Sequence, residues 1–116
     1  MDGVLVDSMP YHVEAMQHIF DQMGVYMDRQ VIYEREGEKT IDIVRLLLKK
    51  AGIDNGRLDL EAIVEKYIEE FNVIAALNAF EGMPECLEVL KHRYELAVVS
   101  GADKPIVHSV LNNLYP

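Results

Sequence analysis

The eight residues Met1-Asp2-Gly3-Val4-Leu5-Val6-Asp7-Ser8 open the chain and set its interpretation. An acidic residue followed by glycine and a short apolar run is a common way to present a carboxylate at the end of a strand. Taken alone, the octet is equally compatible with a turn at Asp2-Gly3 before an ordinary strand over 4–6. Its meaning therefore depends on a second segment, nearly a hundred residues later.

That second segment is Val98-Val99-Ser100-Gly101-Ala102-Asp103-Lys104-Pro105. The apolar run 96–99 is typical of a strand buried on both faces, as in a parallel sheet. A hydroxyl after such a strand, followed by glycine and the first turn of a helix, offers O–H and backbone N–H donors to an anion. Ser100 alone could instead be a residue that approaches a helix, but the two segments together predict an anion site.

Helical periodicity dominates the rest of the chain. Apolar residues at helical spacing predict helices over 10–23, 40–50, 60–75, 84–92 and 105–114. The pair Asn55-Gly56 predicts a turn between the second and third of these helices. The sequence therefore predicts an α/β piece at each end, separated by an all-helical insert over residues 10–80.

Composition limits the partners of the chain. Its 116 residues match one ordinary domain, and 11 Lys and Arg against 20 Asp and Glu give a formal net charge of −9. Such a field repels polyanions, so we expect neither nucleic acid nor acidic membrane surfaces as partners. A small phosphorylated substrate stays possible, because a metal ion and local cations can reverse the field inside a pocket.

Cysteine and histidine usage excludes some kinds of site. Cys86 is the only cysteine, so the chain has no internal disulfide and no cysteine-built zinc site. The four histidines show no metal-ligand spacing: His12, His18, His92 and His108. The sequence has neither an apolar run of the roughly 20 residues that a bilayer requires nor a signal-peptide pattern, so we expect a cytoplasmic protein.

The two end segments together resemble the haloacid dehalogenase (HAD) superfamily, in the branch of β-phosphoglucomutase and phosphoglycolate phosphatase. The opening motif of that branch reads D-x-D-G-V/T-L-x-D-S, and residues 1–8 match everything after its first Asp. Pro10-Tyr11-His12, Phe80-Glu81-Gly82-Met83-Pro84 and Val99-Ser100-Gly101 also resemble that branch. The resemblance implies an α/β fold: residues 1–9 and 81–116 form a partial Rossmann-like HAD core, and residues 10–80 form an inserted α-helical cap.

The resemblance also implies a reaction. The first Asp of the motif attacks a phosphoryl group and becomes an aspartyl phosphate, and here it would come immediately before Met1. Asp2 matches the second Asp, which protonates the leaving oxygen, deprotonates the attacking water and helps to hold Mg²⁺ through its backbone carbonyl. The family's later Lys and acidic pair would follow Pro116. We therefore expect a Mg²⁺-dependent phosphatase of a small phosphorylated metabolite, and no activity from these 116 residues alone.

Further substrate-binding residues follow from the resemblance. Ser100 matches the hydroxyl that hydrogen-bonds the transferred phosphoryl group, and Gly101 lets the backbone approach it. In the relatives a loop at 33–40 contacts the leaving group, which makes Arg35 and Lys39 candidates, although alternating charges here are equally typical of a solvated surface. His12 lies at the hinge to the cap and is a further candidate.

Three alternatives remain open from the sequence. A phosphosugar mutase would need a second phosphate site in the cap, which Arg35 and Lys39 could supply. A phosphonoacetaldehyde hydrolase would use Lys39 as a Schiff base, but the neighbours Glu36, Glu38 and Asp42 favour its protonated form. A non-catalytic helical binding or regulatory domain would instead use the acidic face of its longest helix to bind a basic partner.

Overall fold

The computed structural model describes residues 1–53, 56 and 58–115. Six helices form in this part of the chain: α1 (Met9–Met23), α2 (Arg29–Glu34), α3 (Thr40–Lys50), α4 (Leu60–Ile74), α5 (Met83–Leu90) and α6 (Lys104–Leu114). The five predicted helices are confirmed, with ends that move by no more than two residues. The predicted turn at Asn55-Gly56 falls on Asn55, which lies outside the described residues.

Local sequence signals fix the ends of the long helices. Pro10 occupies the first turn of α1, where its missing N–H costs no intrahelical hydrogen bond. Gly24 ends α1 with φ 68°, and its N–H donates back to the carbonyls of Asp21 and Phe20. At the start of α4, the Asp59 carboxylate accepts a 3.1 Å hydrogen bond from the Ala62 N–H. The two capped helices, α1 and α4, pack against each other.

Helix α2 is an element that the sequence analysis missed. Asp28 begins it, because its carboxylate accepts a 3.1 Å hydrogen bond from the Gln30 N–H. Val31 and Ile32 are its two buried residues. A six-residue helix with two adjacent buried positions leaves no repeating stripe, so the hydrophobic period gives no signal for it.

Apolar side chains from α1 to α4 form one core, and α6 packs on its edge through α4. Among the helical residues, the large side chains with the least exposure come from five helices: Val13, Phe20, Val31, Val44, Leu47, Leu48, Phe71 and Ile106. Burying a side chain of this kind contributes about 1.5–3 kcal/mol before entropy is counted. The helical insert is thus the best-packed part of the described chain.

The predicted strands do not form within the described residues. The run 96–99 lies in extended but unpaired backbone, with Val99 at 93% and Leu96 at 50% exposure. Residues 3–5 form a turn, and Val4 is 60% exposed. The prediction of a buried strand at 96–99 and of a strand over 4–6 is wrong for this part of the chain. A strand is stabilised by neighbours, and no described segment pairs with 96–99.

The two connections of the helical insert run side by side. Val6, which is fully buried, forms an isolated antiparallel bridge with Ala79. The Phe80 N–H donates to the Leu5 carbonyl at 3.4 Å, and the Tyr115 hydroxyl donates to the same carbonyl at 2.6 Å. The chain therefore leaves for the insert and returns from it at one place, directly beside Asp2. No helix in the described residues has the length and apolar character needed to cross a membrane.

Candidate active site

Three parts of the chain enclose a cavity of about 230 Å³. The N-terminal segment contributes Asp2, and the loop after the apolar run contributes Ser100 and Gly101. The helical insert contributes His12 from α1 and Tyr67 from α4. The cavity thus lies between the two end segments that the sequence singles out and the insert between them.

Asp2 is held from two sides. Its Oδ1 accepts hydrogen bonds from the Ser8 hydroxyl and from His12 Nε2, the latter at 2.8 Å, and its side chain is 14% exposed. Burial raises the pKa of Asp2, but the hydrogen bonds from His12 and Ser8 lower it by more, so the pKa lies below its usual value of 3.8. The carboxylate is therefore ionised near neutral pH and oriented.

His12 connects Asp2 to the long helix α4. Its Nδ1 is hydrogen-bonded to the Tyr67 hydroxyl, and its ring stacks on Phe71 with centroids 4.3 Å apart. Tyr67 and Phe71 are one helical turn apart, so both side chains face α1. Burial raises the pKa of Tyr67, and the negative charges of Asp103 and Asp2 raise it further, so the phenol keeps its proton.

The loop after the apolar run contacts the loop before α3. A Cβ added to Gly101 would overlap the carbonyl oxygen of Gly37 and would lie 2.7 Å from its carbonyl carbon, so only glycine allows this approach. Close by, the Thr40 hydroxyl donates a 2.6 Å hydrogen bond to Asp103 Oδ2. The Ser100 hydroxyl accepts from the Ala102 N–H at 3.1 Å. The two loops together close one side of the cavity.

Four of the six residues proposed for the site line this cavity, and two do not. Asp2, His12, Ser100 and Gly101 share it. Arg35 points to solvent, about half exposed, and pairs with Glu38 at 3.1 Å. Lys39 borders a separate opening of about 570 Å³ on the other side of the Ser100-Gly101 loop.

The cavity wall is acidic. Glu36, Glu38 and Asp103 line it in addition to Asp2, and none of its lining side chains in the described chain is Lys or Arg. Such a wall repels a phosphate dianion, so an anionic substrate needs cations from elsewhere to bind here. The net charge of −9 is thus matched by local acidity at this cavity.

The sequence analysis did not assign a role to three polar groups of the site. Tyr67 occupies an apolar position of α4, where its hydroxyl is the only sign that it differs from a core aromatic. Thr40 and Asp103 stand at helix starts, where both residue types are common as caps. Their contacts join residues far apart in the chain, so spacing along the sequence gave no signal for them.

The described residues do not form a complete magnesium site by themselves. Mg²⁺ favours six oxygen ligands in octahedral geometry, of which carboxylates supply one or two. No group of three His, Cys, Asp or Glu side chains in the described chain is arranged to hold a metal ion. Asp2 is the single ligand that the family resemblance assigns here, through its backbone carbonyl, so further oxygen ligands are needed to complete the site.

Comparisons with known proteins identify the family and the fold of the chain. A family model described as haloacid dehalogenase-like hydrolase matches residues 1–115. A hydrolase from Pseudomonas syringae has 20% identity and a TM-score of 0.84, over 99% of this chain and 53% of its own. A Bacteroides vulgatus protein provisionally named β-phosphoglucomutase has 28% identity and a TM-score of 0.78, over 99% of this chain and 47% of its own.

A third structure, a Haemophilus somnus protein provisionally named phosphoglycolate phosphatase, has 19% identity and a TM-score of 0.76, over 99% of this chain and 55% of its own. The chain therefore spans about half the length of these relatives. The similarity confirms the predicted fold class, an α/β fold with a partial Rossmann-like HAD core and an inserted α-helical cap.

Proposed function

Because the chain belongs to the haloacid dehalogenase-like hydrolase family, we propose that the whole protein is a phosphatase that hydrolyses a small phosphorylated metabolite through an aspartyl phosphate. The observation that carries this proposal is the meeting of Asp2 and Ser100 at one cavity. The first supplies an oriented carboxylate, and the second lies beside the N-terminus of α6, where backbone N–H groups favour an anion. We assign substrate-binding roles to Ser100 and Gly101, whereas both ring nitrogens of His12 are already engaged by Tyr67 and Asp2.

Asp2 is the general acid and base of this proposal. The nucleophilic carboxylate attacks phosphorus, the P–O bond to the leaving group breaks, and Asp2 gives its proton to the leaving oxygen. Asp2 then takes a proton from the water that cleaves the aspartyl phosphate. Its pKa is low in the free protein, which suits the base role. The negative charge of a bound phosphoryl group raises that pKa, which favours the protonated form that the first step needs.

The cavity wall favours a phosphatase over a phosphosugar mutase. A mutase must hold a second phosphate in the cap while the first reacts. The two cap cations available for that task, Arg35 and Lys39, lie outside the cavity, whereas Glu36 and Glu38 line it. A second phosphate would therefore meet carboxylates, and a single phosphoryl group on an uncharged or cationic leaving group fits better.

The family resemblance implies a Mg²⁺ requirement, and we include it in the proposal. It is proposed for the whole protein, because the described residues alone supply too few oxygen ligands. The requirement is tested by removing divalent ions with EDTA and adding MgCl₂ back. We expect phosphate release to stop and then to return. Continued turnover after complete chelation would contradict the requirement.

The proposal is tested with the whole protein on a panel of phosphate monoesters, by measuring released inorganic phosphate. We expect Asp2→Asn to lower kcat by about 10²- to 10⁴-fold, the range for loss of a general acid or base. Asp21→Asn is the matched control, because Asp21 lies exposed on α1 and its carboxylate accepts a hydrogen bond from Gln17, away from the cavity.

Three results would contradict parts of the proposal. Near wild-type turnover by Asp2→Asn would remove Asp2 from the acid/base role. Isomerisation of a phosphosugar without phosphate release would favour the mutase. Absence of both reactions over the whole panel would favour a binding or regulatory domain.

A further inference from the structure

One buried hydroxyl near the cavity has no part in the reaction proposed above. Tyr67 lies in the middle of α4, is 5% exposed, and reaches across to α1. Its hydroxyl is hydrogen-bonded to Nδ1 of His12, while Nε2 of the same ring lies 2.8 Å from Asp2 Oδ1. Asp2, His12 and Tyr67 thus form one hydrogen-bonded chain from the cavity into the helical core.

We propose that Tyr67 is a positioning residue for Asp2: its hydroxyl donates to His12 Nδ1 and thereby fixes the ring with its Nε2–H directed at the carboxylate. The inference rests on the proposed function, in which Asp2 is the acid and base. Tyr67 acts through His12, so it is a positioning residue and not a catalytic one.

The direction of each hydrogen bond follows from the available donors. An ionised carboxylate only accepts, so the imidazole nitrogen that faces Asp2 must carry a proton. A neutral imidazole carries one proton, so Nδ1 is then an acceptor and its partner must donate. The Tyr67 hydroxyl is the group at that position, so the proposal makes it the donor. Its removal takes away the donor that favours the Nε2–H form, and the Nδ1–H form, which no longer serves Asp2, gains population.

Packing makes this arrangement specific to tyrosine. The His12 ring stacks on Phe71 at an interplanar angle of 13°, and Phe71 is 2% exposed, so the ring is held in one plane. Phenylalanine at position 67 would fill the same space on α4. Core packing therefore does not require the hydroxyl of Tyr67. The hydroxyl lies where His12 needs a hydrogen-bond donor.

The test compares Tyr67→Phe with the wild-type whole protein. Loss of one hydrogen bond between neutral groups corresponds to about a fivefold effect. We expect kcat for phosphate release to fall by about fivefold while KM changes less than about twofold, because the hydroxyl acts on the proton-transferring group. Tyr26→Phe is the matched control, since Tyr26 is 78% exposed. We expect it to match the wild type.

A double variant separates positioning from packing. His12→Phe keeps a ring against Phe71 but has no nitrogen that could hydrogen-bond to Tyr67 or Asp2. In that background we expect Tyr67→Phe to cause no further fall in kcat, because the hydroxyl acts through His12. An equal fall in both backgrounds would overturn the inference.

A second measurement does not depend on activity. Nitrogen chemical shifts of the His12 ring report which nitrogen carries the proton. We expect the Nε2–H form in the wild type and a mixture of both forms in Tyr67→Phe. Unchanged shifts in the variant, or an Nδ1–H form in the wild type, would overturn the inference even if no phosphatase activity is found. Full phosphatase activity in Tyr67→Phe would overturn it while leaving the proposed function intact.

Discussion

Replacing Gly101 by alanine tests whether the contact between the two loops of the cavity is required. The backbone of Gly101 has no left-handed φ, so alanine meets no conformational penalty there. Its methyl group would nevertheless overlap the Gly37 carbonyl oxygen and lie 2.7 Å from the carbonyl carbon and 3.2 Å from Cα. These are backbone atoms, which cannot turn away as a flexible side chain would.

The size of the effect follows from these distances. Carbon atoms pack at about 3.5–4.0 Å, so the Gly37 backbone must withdraw by about 1 Å. Such overpacking typically costs about 1–3 kcal/mol. A cost of this size on the observed contact between the two loops lowers the population of that contact by about 5- to 150-fold. We expect kcat/KM for phosphate release to fall in this range.

The assay compares kcat/KM and thermal unfolding for Gly101→Ala and Gly24→Ala in the whole protein. Gly24 is a matched control, because it ends α1 with φ 68° and a Cβ there would meet nothing within 4 Å. Alanine at 24 therefore costs stability through backbone strain of about 1–2 kcal/mol and should leave kcat/KM unchanged. Wild-type kcat/KM in Gly101→Ala would refute the claim that catalysis depends on this loop contact.

Two further predictions concern the packing of α1 against α4. His18 Nδ1 is hydrogen-bonded to Glu70 at 2.7 Å, and this bond with the charge of Glu70 raises the pKa of His18 above 6.5. The stability that the His18–Glu70 contact contributes is complete below pH 6.5 and is lost as pH rises through the folded pKa of His18. Thermal scans of His18→Gln should therefore lack this pH dependence. Profiles identical to those of the wild type would contradict the prediction. Phe71→Ala should lower the free energy of unfolding by about 3–5 kcal/mol in urea titrations. Val73→Ala, at a position 81% exposed on the same helix, should cost less than about 0.5 kcal/mol, and equal losses would refute the packing argument.

The helices could be predicted from the sequence because their signals are local. In α3 the hydrogen bonds form within the segment, and the acidic Asp42 and basic Lys49 mark its two ends in the sequence itself. The run 96–99 carries an equally clear apolar pattern, yet a strand depends on partners elsewhere. The described chain supplies none, so Val99 is left exposed.

The site was predictable only where a motif carries it. Asp2 and Ser100 stand in recognisable segments, and the structure places both at one cavity. The directions of the Arg35 and Lys39 side chains depend on the conformation of the loop before α3. The alternating charges of that loop do not specify its conformation. Tyr67 contacts His12 across 55 positions, so no spacing rule relates the two residues before the helices are packed.

The bridge between Val6 and Ala79 has a consequence for how this protein varies. Because the insert departs and returns at one point, residues 7–78 form a single closed loop relative to the rest of the chain. The entropy of closing a loop rises only with the logarithm of its length, so the size of the insert has little effect on the remaining structure. We therefore expect inserts of different length or shape to be compatible with the same position of Asp2.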